Sequence, residues 1–479
     1  MKKRILPIPK KLTEGEGTVK TPLCVSTSHQ PWEQYVNTFC ISYNKIYCAD
    51  MKIAEGGIRL VYDPEVEAGT YTFDADEEIM LCASDDEGIC YAMATALLAL
   101  EHKGDFAECE KMHIEDSADK PFRALMVDLA RQWHPMRTVL KYVDVCFMLK
   151  LPFLHLHFID DQRYTLPSKV FPEISTKVQS YTFDEIKELN EYAAQRGVTI
   201  IPEFEAPGHA ASFVRAYPEV FANKIEGDSP TITTESGVVV KATSLVCAGK
   251  SACMDGIRAL LTEICEMFPD SPYIHIGGDE ANIAVWDYCD ECKKYMKDNG
   301  IEDVYDLYAE FDARVAQTVL DLGRTPIVWE GFSAKGAHRI PKETIVIAWE
   351  SYYNLAPDLL EQGFNIINAS WQPLYIVPST TKRWGVDEIM EWNVHEWQHW
   401  WDNSAAKLNP IHVEPTDRVL GAQLCSWECT YEQEINRVME NCTALSERTW
   451  NTFRTQTMYD FKKSEQAVCG VIRNLIQER

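Results

Sequence analysis

The sequence predicts an α/β protein: a (β/α)8 TIM barrel over residues 119–479, preceded by a small α+β domain over residues 1–118. Three observations carry that prediction. The hydrophobic pattern changes near residue 118 from short alternating segments to near-continuous apolar runs, as expected where strands become buried on both faces. Each of these later runs is followed by a connecting segment, many with helical period, and the unit recurs eight times. Acids, histidines and tryptophans gather at the C-terminal ends of those runs, the face on which a barrel assembles its site.

Within the leading block, GIRLVYDP and EEIMLCAS alternate as half-buried strands. A turn is expected at Asp85 to Gly88, followed by the apolar helix ICYAMATALLALEHK and a charged link, HIEDSADK. The start, MKKRILPIPKKLTEGEG, has no uninterrupted apolar stretch of the secretory kind, and no later segment supplies the roughly 20 apolar residues of a membrane helix. A soluble, cytoplasmic protein with no membrane partner is the expectation.

In the barrel, FRALMVDLA leads to a helix starting near Met136, and FLHLHFID ends in acids. TFDEIKELNEYAAQRG reads as a capped helix closed by Gly197. VTIIPEFE is the next strand, with its helix expected after PGHAASFVRAY. The remaining strands are SPYIHIGGDE, TPIVWEG, TIVIAWE, FNIINAS and RVLGAQLCSW. Their ends bring together Asp128 and Arg131; His157, Asp160 and Asp161; Glu203, Glu205 and His209; His275, Asp279 and Glu280; and the pairs Trp329–Glu330, Trp349–Glu350 and Trp427–Glu428.

The formal charge of −27, from 73 acids against 46 lysines and arginines, argues against a nucleic-acid partner, which needs a coherent basic surface. The 16 cysteines are dispersed among apolar neighbours and read most simply as reduced core thiols. Cys289 and Cys292 have metal-ligand spacing, and Cys425 with Cys429 is the pair that could complete a four-thiol set, but a lone CxxC is a weak signal. No phosphate loop or dinucleotide fingerprint is present, so no cofactor and no metal is expected.

Carboxylates among tryptophans suggest a sugar ligand, because pyranose faces stack on aromatic rings while hydroxyls call for Asp, Glu, Arg and His. Asp279 and Glu280 are adjacent, so they cannot be assumed to oppose each other across a glycosidic bond as acid and nucleophile. If the nucleophile is instead the substrate's own 2-acetamido oxygen, both acids have work: Glu280 as acid and then base, Asp279 orienting the amide. Three other readings stand beside this one. The acids could cap a following helix; His155, His157, His209 and His275 with an acid could form a metal-dependent hydrolytic site; or the barrel could bind carbohydrate without catalysis.

DLARQWHP, LHLHFIDDQ, IPEFEAPGHA, HIGGDE and the spaced tryptophan strands together resemble glycoside hydrolase family 20, the β-N-acetylhexosaminidases, from the leading domain to about residue 430. The resemblance implies retaining, substrate-assisted removal of a terminal non-reducing β-linked GlcNAc or GalNAc through an oxazolinium ion, from a small oligosaccharide or glycoconjugate. It also implies Glu280 as general acid/base and Asp279 as the acetamido-positioning acid. Arg131 is similar to the arginine that holds O3 and O4, and Asp160, His209 and His275 to the polar network that keeps Glu280 protonated. Trp329, Trp349 and Trp427 resemble the tryptophan box, and Tyr375 the tyrosine that donates to the acetamido oxygen. The chain departs from the pattern at Val377, where an acid is usual, and at Glu428–Cys429, where the glutamate stands one residue early. EFEAPGHA, with Glu205 and Ala206, replaces the commoner DMPGH, and these departures leave the GlcNAc or GalNAc preference open. The aromatic segment 385–402 either shapes the leaving-group side or packs against a second copy in a homodimer.

Overall fold

The computed structural model describes residues 5–225, 231–233, 239–453 and 456–477. Its centre is a closed parallel barrel. In chain order the strands are β1 (Phe122–Asp128), β2 (Phe153–His157), β3 (Thr199–Ala206), β4 (Tyr273–Gly277), β5 (Thr325–Trp329), β6 (Ile345–Ala348), β7 (Asn365–Asn368) and β8 (Val419–Ser426). Each pairs in parallel with the next, and β8 pairs with both β7 and β1 to close the ring. All eight strands lie where the apolar runs place them.

The barrel interior is layered. At the N-terminal end Phe122, Phe153 and Tyr273 pack ring against ring, with centroids 4.8 to 6.3 Å apart. Above them His155, Glu203, His275 and Gln423 form a fully buried polar layer. The alternation that turns every second side chain inward also puts Ile201, Glu203 and Glu205 on one face of β3 at rising heights.

The helix that follows β2 runs over Phe183–Ala194 and starts with a capping box: Thr182 Oγ1 accepts the Glu185 N–H, and Glu185 accepts the Thr182 N–H. Gly197, at φ +64°, stands beyond its last turn. After β3 the expected helix is only Ala211–Ala216, and the chain makes a long excursion before the amphipathic helix Ser251–Met267 takes the outer position.

The leading unit is a mixed sheet flanked by helices Glu33–Tyr47 and Asp86–Ala99. Two local expectations are corrected. Asp85 is the N-cap of the second helix, its carboxylate accepting the Gly88 N–H, so the predicted turn is a helix start. The charged link is largely strand: Phe106–Ser117 alternates buried and solvent-facing positions through HIEDS.

The unit meets the barrel through a buried polar junction. Lys150 Nζ donates to Tyr71 Oη (2.8 Å) and lies 3.8 Å from Asp116 Oδ2, while Asp116 also accepts from Tyr71 Oη (3.0 Å) and Trp450 Nε1 (3.0 Å). Arg123 of β1 is buried beside it and donates to Tyr91 Oη and the Lys150 carbonyl. No described helix is long and apolar enough to cross a membrane.

Candidate active site

The HIGGDE stretch ends β4 at the barrel mouth, and its two glycines are there for space. A Cβ on Gly277 would stand 2.2 Å from Glu205 Oε2, and one on Gly278 would stand 2.4 Å from a Val328 methyl; both residues have positive φ. The chain then places Asp279 and Glu280 differently. Asp279 is buried and its Oδ1 has no hydrogen-bond partner, whereas the Glu280 side chain is 52% exposed. Glu280 and His209 both adopt left-handed backbone conformations, φ 46° and 49°, which non-glycine residues hold only under constraint from their surroundings.

An ion-pair chain runs across the mouth. Arg131 Nη2 lies 2.6 Å from Asp160 Oδ2, His209 Nδ1 lies 3.3 Å from the same oxygen, and His209 Nε2 reaches Glu280 Oε2 at 3.5 Å and Asp279 Oδ2 at 3.9 Å. His157 Nε2 adds a contact to Asp160 at 3.1 Å. Burial alone would raise the Asp160 pKa, but His157, His209 and Arg131 hold it well below the usual carboxylate range. Glu280 is lowered as well, first by its hydrogen bond with His209. The network that the resemblance expects to keep Glu280 protonated thus lowers its pKa in the free site, because the nearest strong influence is a histidine. Asp279 moves the other way, to about 7, through burial and, despite His209, the charges of Glu280 and Glu203.

Trp329, Trp349, Trp427 and Tyr375 lie together. Trp329 meets Trp349 edge-on at 6.2 Å and Trp427 at 5.9 Å, and Tyr375 lies parallel to Trp349 at 6.2 Å and to Trp371 at 4.6 Å. The Arg131 guanidinium sits 5.1 Å from the centre of the Trp427 ring.

The glycosyl hydrolase family 20 catalytic-domain model matches residues 121–453. The chain belongs to that family. Among family relatives, the β-hexosaminidase subunit beta of Entamoeba histolytica is 27% identical over 431 residues, covering 85% of this chain and 74% of that protein. Two solved structures share the fold. The exo-β-N-acetylglucosaminidase of Vibrio harveyi superposes with a TM-score of 0.82 at 20% identity, over 99% of this chain and 78% of that one. The β-N-acetylhexosaminidase of Bacteroides fragilis gives 0.75 at 22% identity, over 96% and 93%.

Within this family 20 site, several predicted residues take other places. His275 is fully buried one layer beneath the mouth, between His155 and Trp329 at ring distances of 4.6 and 5.0 Å, and does not reach Glu280 itself. Asp160, also buried, holds Arg131 and His209. Glu428 is exposed at the rim with φ 60°, its backbone N–H donating to Asp128 Oδ2 at 3.2 Å. The four histidines of the metal reading are split among carboxylates at different depths: His155 and His275 meet Glu203, His157 joins Glu203 to Asp160, and His209 faces Glu280. Cys425 lies in the barrel interior near Gln423 and does not join the CxxC pair, which meets Cys247 instead.

Three acids escaped the predicted site. Glu203 is approached by His157 Nδ1 (2.5 Å), His275 Nδ1 (3.0 Å) and His155 Nε2 (3.1 Å), and accepts the Trp329 indole N–H at 2.6 Å, which fixes that ring. Glu330 accepts backbone N–H groups from Ser351, Tyr352 and Tyr353 at 2.8 to 3.0 Å, folding the loop after β6 around one carboxylate. Glu350 is raised to about 8 by burial and then by Glu280, Glu330 and Asp279. All three stand at the strand ends in the sequence; their depth and partners are what the sequence does not display. The segment 385–402 packs onto its own barrel: Trp397 is buried, with its indole N–H donating to the Ala348 carbonyl at 2.9 Å, and Trp400 lies against Trp371 at 5.4 Å.

Proposed function

We propose that this family 20 hydrolase is a retaining exo-β-N-acetylhexosaminidase that removes a terminal GlcNAc or GalNAc with the substrate's acetamido oxygen as nucleophile. The observation that carries the reading is the contrast within the acid pair: a buried Asp279 with an unpartnered oxygen beside the aromatic wall, and a half-exposed Glu280 at the mouth. An acetamide N–H is a fitting donor for that oxygen, and an amide methyl suits the space bounded by Trp329, Trp349 and Trp427. The N-acetylglucosamine bound by the Vibrio harveyi relative supports the same ligand class.

In this mechanism Arg131 and the tryptophans seat the sugar, and Tyr375 donates to the acetamido oxygen. That oxygen attacks the anomeric carbon as the glycosidic bond breaks, and Glu280 gives its proton to the leaving oxygen. Asp279 accepts the amide N–H and stabilises the positive charge of the oxazolinium ion. Water then attacks the anomeric carbon, Glu280 takes its proton, and the acetamide is restored. Glu280 must be protonated for the first step. Seating a sugar excludes water from its exposed face and pushes its pKa up, against the lowering by His209 seen in the free site. The 16 cysteines, with no disulfide among the described residues, support a reducing, cytoplasmic location.

The test is the initial rate on p-nitrophenyl β-GlcNAc and β-GalNAc, with the β-glucoside as control and GlcNAc-thiazoline as inhibitor. Turnover of the acetamido sugars alone, blocked by the thiazoline, is expected. Turnover of the glucoside at a comparable rate would remove the neighbouring-group mechanism, and folded protein that binds these sugars without turning them over would make the barrel a binding module.

A further inference from the structure

Behind the site, three cysteines from two loops converge. Cys247 lies just before the helix Ser251–Met267, and Cys289 and Cys292 flank the turn into the helix Asp290–Asn299. All three are buried; Cys247 Sγ stands 3.6 Å from both Cys289 Sγ and Cys292 Sγ, and all three sulfurs lie within 4.8 Å of one another. Sulfurs tetrahedrally arranged around zinc, at a Zn–S distance of ~2.3 Å, are separated by about 3.8 Å.

Two of the sulfurs face backbone donors. Cys289 Sγ faces the backbone N–H groups of Lys224, at 3.3 Å, and Cys292, and Cys247 Sγ faces the N–H of Gly249. Hydrogen bonds of this kind stabilise charge on sulfur. The two turns are pressed together: a Cβ on Gly249 would stand 2.2 Å from the Glu291 carbonyl oxygen and 2.6 Å from the Cys292 nitrogen, so glycine is required there for the sulfurs to meet. Asn223 completes the setting. Its carboxamide N–H donates to the Leu245 carbonyl at 2.7 Å, which leaves its oxygen directed to the cluster, 3.8 Å from Cys292 Sγ.

We infer that Cys247, Cys289 and Cys292 bind one structural zinc ion, with the fourth position on the side of Asn223. Binding replaces the thiol protons with the metal and joins two loops that each carry catalytic machinery. The Cys247 loop is tied to Pro207 and Ala210 through the Val246 N–H (3.0 Å) and the Ser244 carbonyl (3.2 Å), on either side of His209. The Cys289 turn follows Asp279 and Glu280, and Trp286 between them donates to the Val246 carbonyl at 3.0 Å. The ion would fix the approach of His209 to Glu280 without touching the sugar, so its ligands are positioning residues.

The experiment measures metal in full-length protein purified without chelator from zinc-supplemented cells, and absorption of protein produced with cobalt in place of zinc. Close to one zinc per chain, intense sulfur-to-cobalt charge-transfer bands, and metal affinity at least tenfold weaker in Cys247→Ser and Cys292→Ser but unchanged in Cys425→Ser would support the site. Because the serine variants could misfold, the wild-type protein is also alkylated and mapped by mass spectrometry. Metal-free wild-type protein with all three thiols readily alkylated, or with a Cys289–Cys292 disulfide, would overturn the inference, as would zinc retained in full by both folded serine variants.

Discussion

Glu203 and Glu205 stand two residues apart on one face of β3, both wholly buried, yet the protein holds them in opposite charge states. Glu203 sits in the histidine layer, where His157, His275 and His155 keep it ionised despite burial. Glu205 sits one layer higher, against the Glu203 carboxylate, and burial together with the charges of Asp279 and Glu203 and a hydrogen bond shared with Glu203 pushes its pKa well above the usual range. A buried carboxylate is tolerated when cations or donors surround it and otherwise keeps its proton. The barrel uses both solutions within a single strand: a charged layer that fixes Trp329 and His157, and a neutral acid packed beneath Asp279 and Glu280.

The largest expected effect tests the mouth above these layers. Glu280→Gln should lower kcat on substrates with poor leaving groups by about 10²- to 10⁴-fold, the range for losing a general acid, and leave the thermal midpoint unmoved because the side chain is half-exposed. Steady-state kinetics across leaving groups, with a melting curve, checks both halves. Glu203→Gln should act on stability, leaving His157 without its anion at a cost of about 3–5 kcal/mol, readable by urea unfolding. Arg131→Lys should reduce kcat/KM about 10- to 100-fold, the worth of a charged hydrogen bond lost with the guanidinium fork.

A smaller effect concerns pH. His157 is held up at about 9, chiefly by Glu203 against the opposing influence of burial, and burial raises Asp279 to about 7 and Glu350 to about 8. Between pH 7 and 9 the native state therefore holds protons that the unfolded chain has released, and stability should fall as pH rises. The His157 contribution is complete below its unfolded value of ~6.5 and lost through about 9. Those of the two carboxyls are complete below an unfolded value near ~4 and lost through about 7 and 8. Urea midpoints across this window should decline, and below about pH 7 the decline should be shallower in Asp279→Asn. The smallest change is expected from Glu205→Gln: an amide in place of a neutral acid should stay within about 1 kcal/mol of wild type at pH 6. A loss there as large as that of Glu203→Gln would mean that Glu205 is ionised and that the two layers do not differ as argued.

The barrel was legible because its strands are written as apolar runs of strand length ending in chemistry. Height along the barrel was not legible. His275 and Glu280 belong to one motif, yet one is buried beneath Trp329 and the other meets solvent, since strand alternation gives direction and not depth. The excursion after β3 hid the helix Ser251–Met267 behind the short Ala211–Ala216, because a long loop separates the helical pattern from its strand. Cys247 escaped notice for a related reason: it is 42 residues from Cys289, and only folding makes them neighbours.

The junction at Lys150 bears on how such a chain can be rearranged. Its ammonium is wholly enclosed, and its anionic neighbour Asp116 and hydroxyl acceptor Tyr71 both belong to the leading sheet. A chimera that covers this face of the barrel with a foreign N-terminal unit lacking those partners strands that cation in a low-dielectric seam. Exchange of whole domains between relatives would succeed only where lysine, aspartate and tyrosine travel together, so the two halves are bound into one inheritable unit by a contact remote from the sugar.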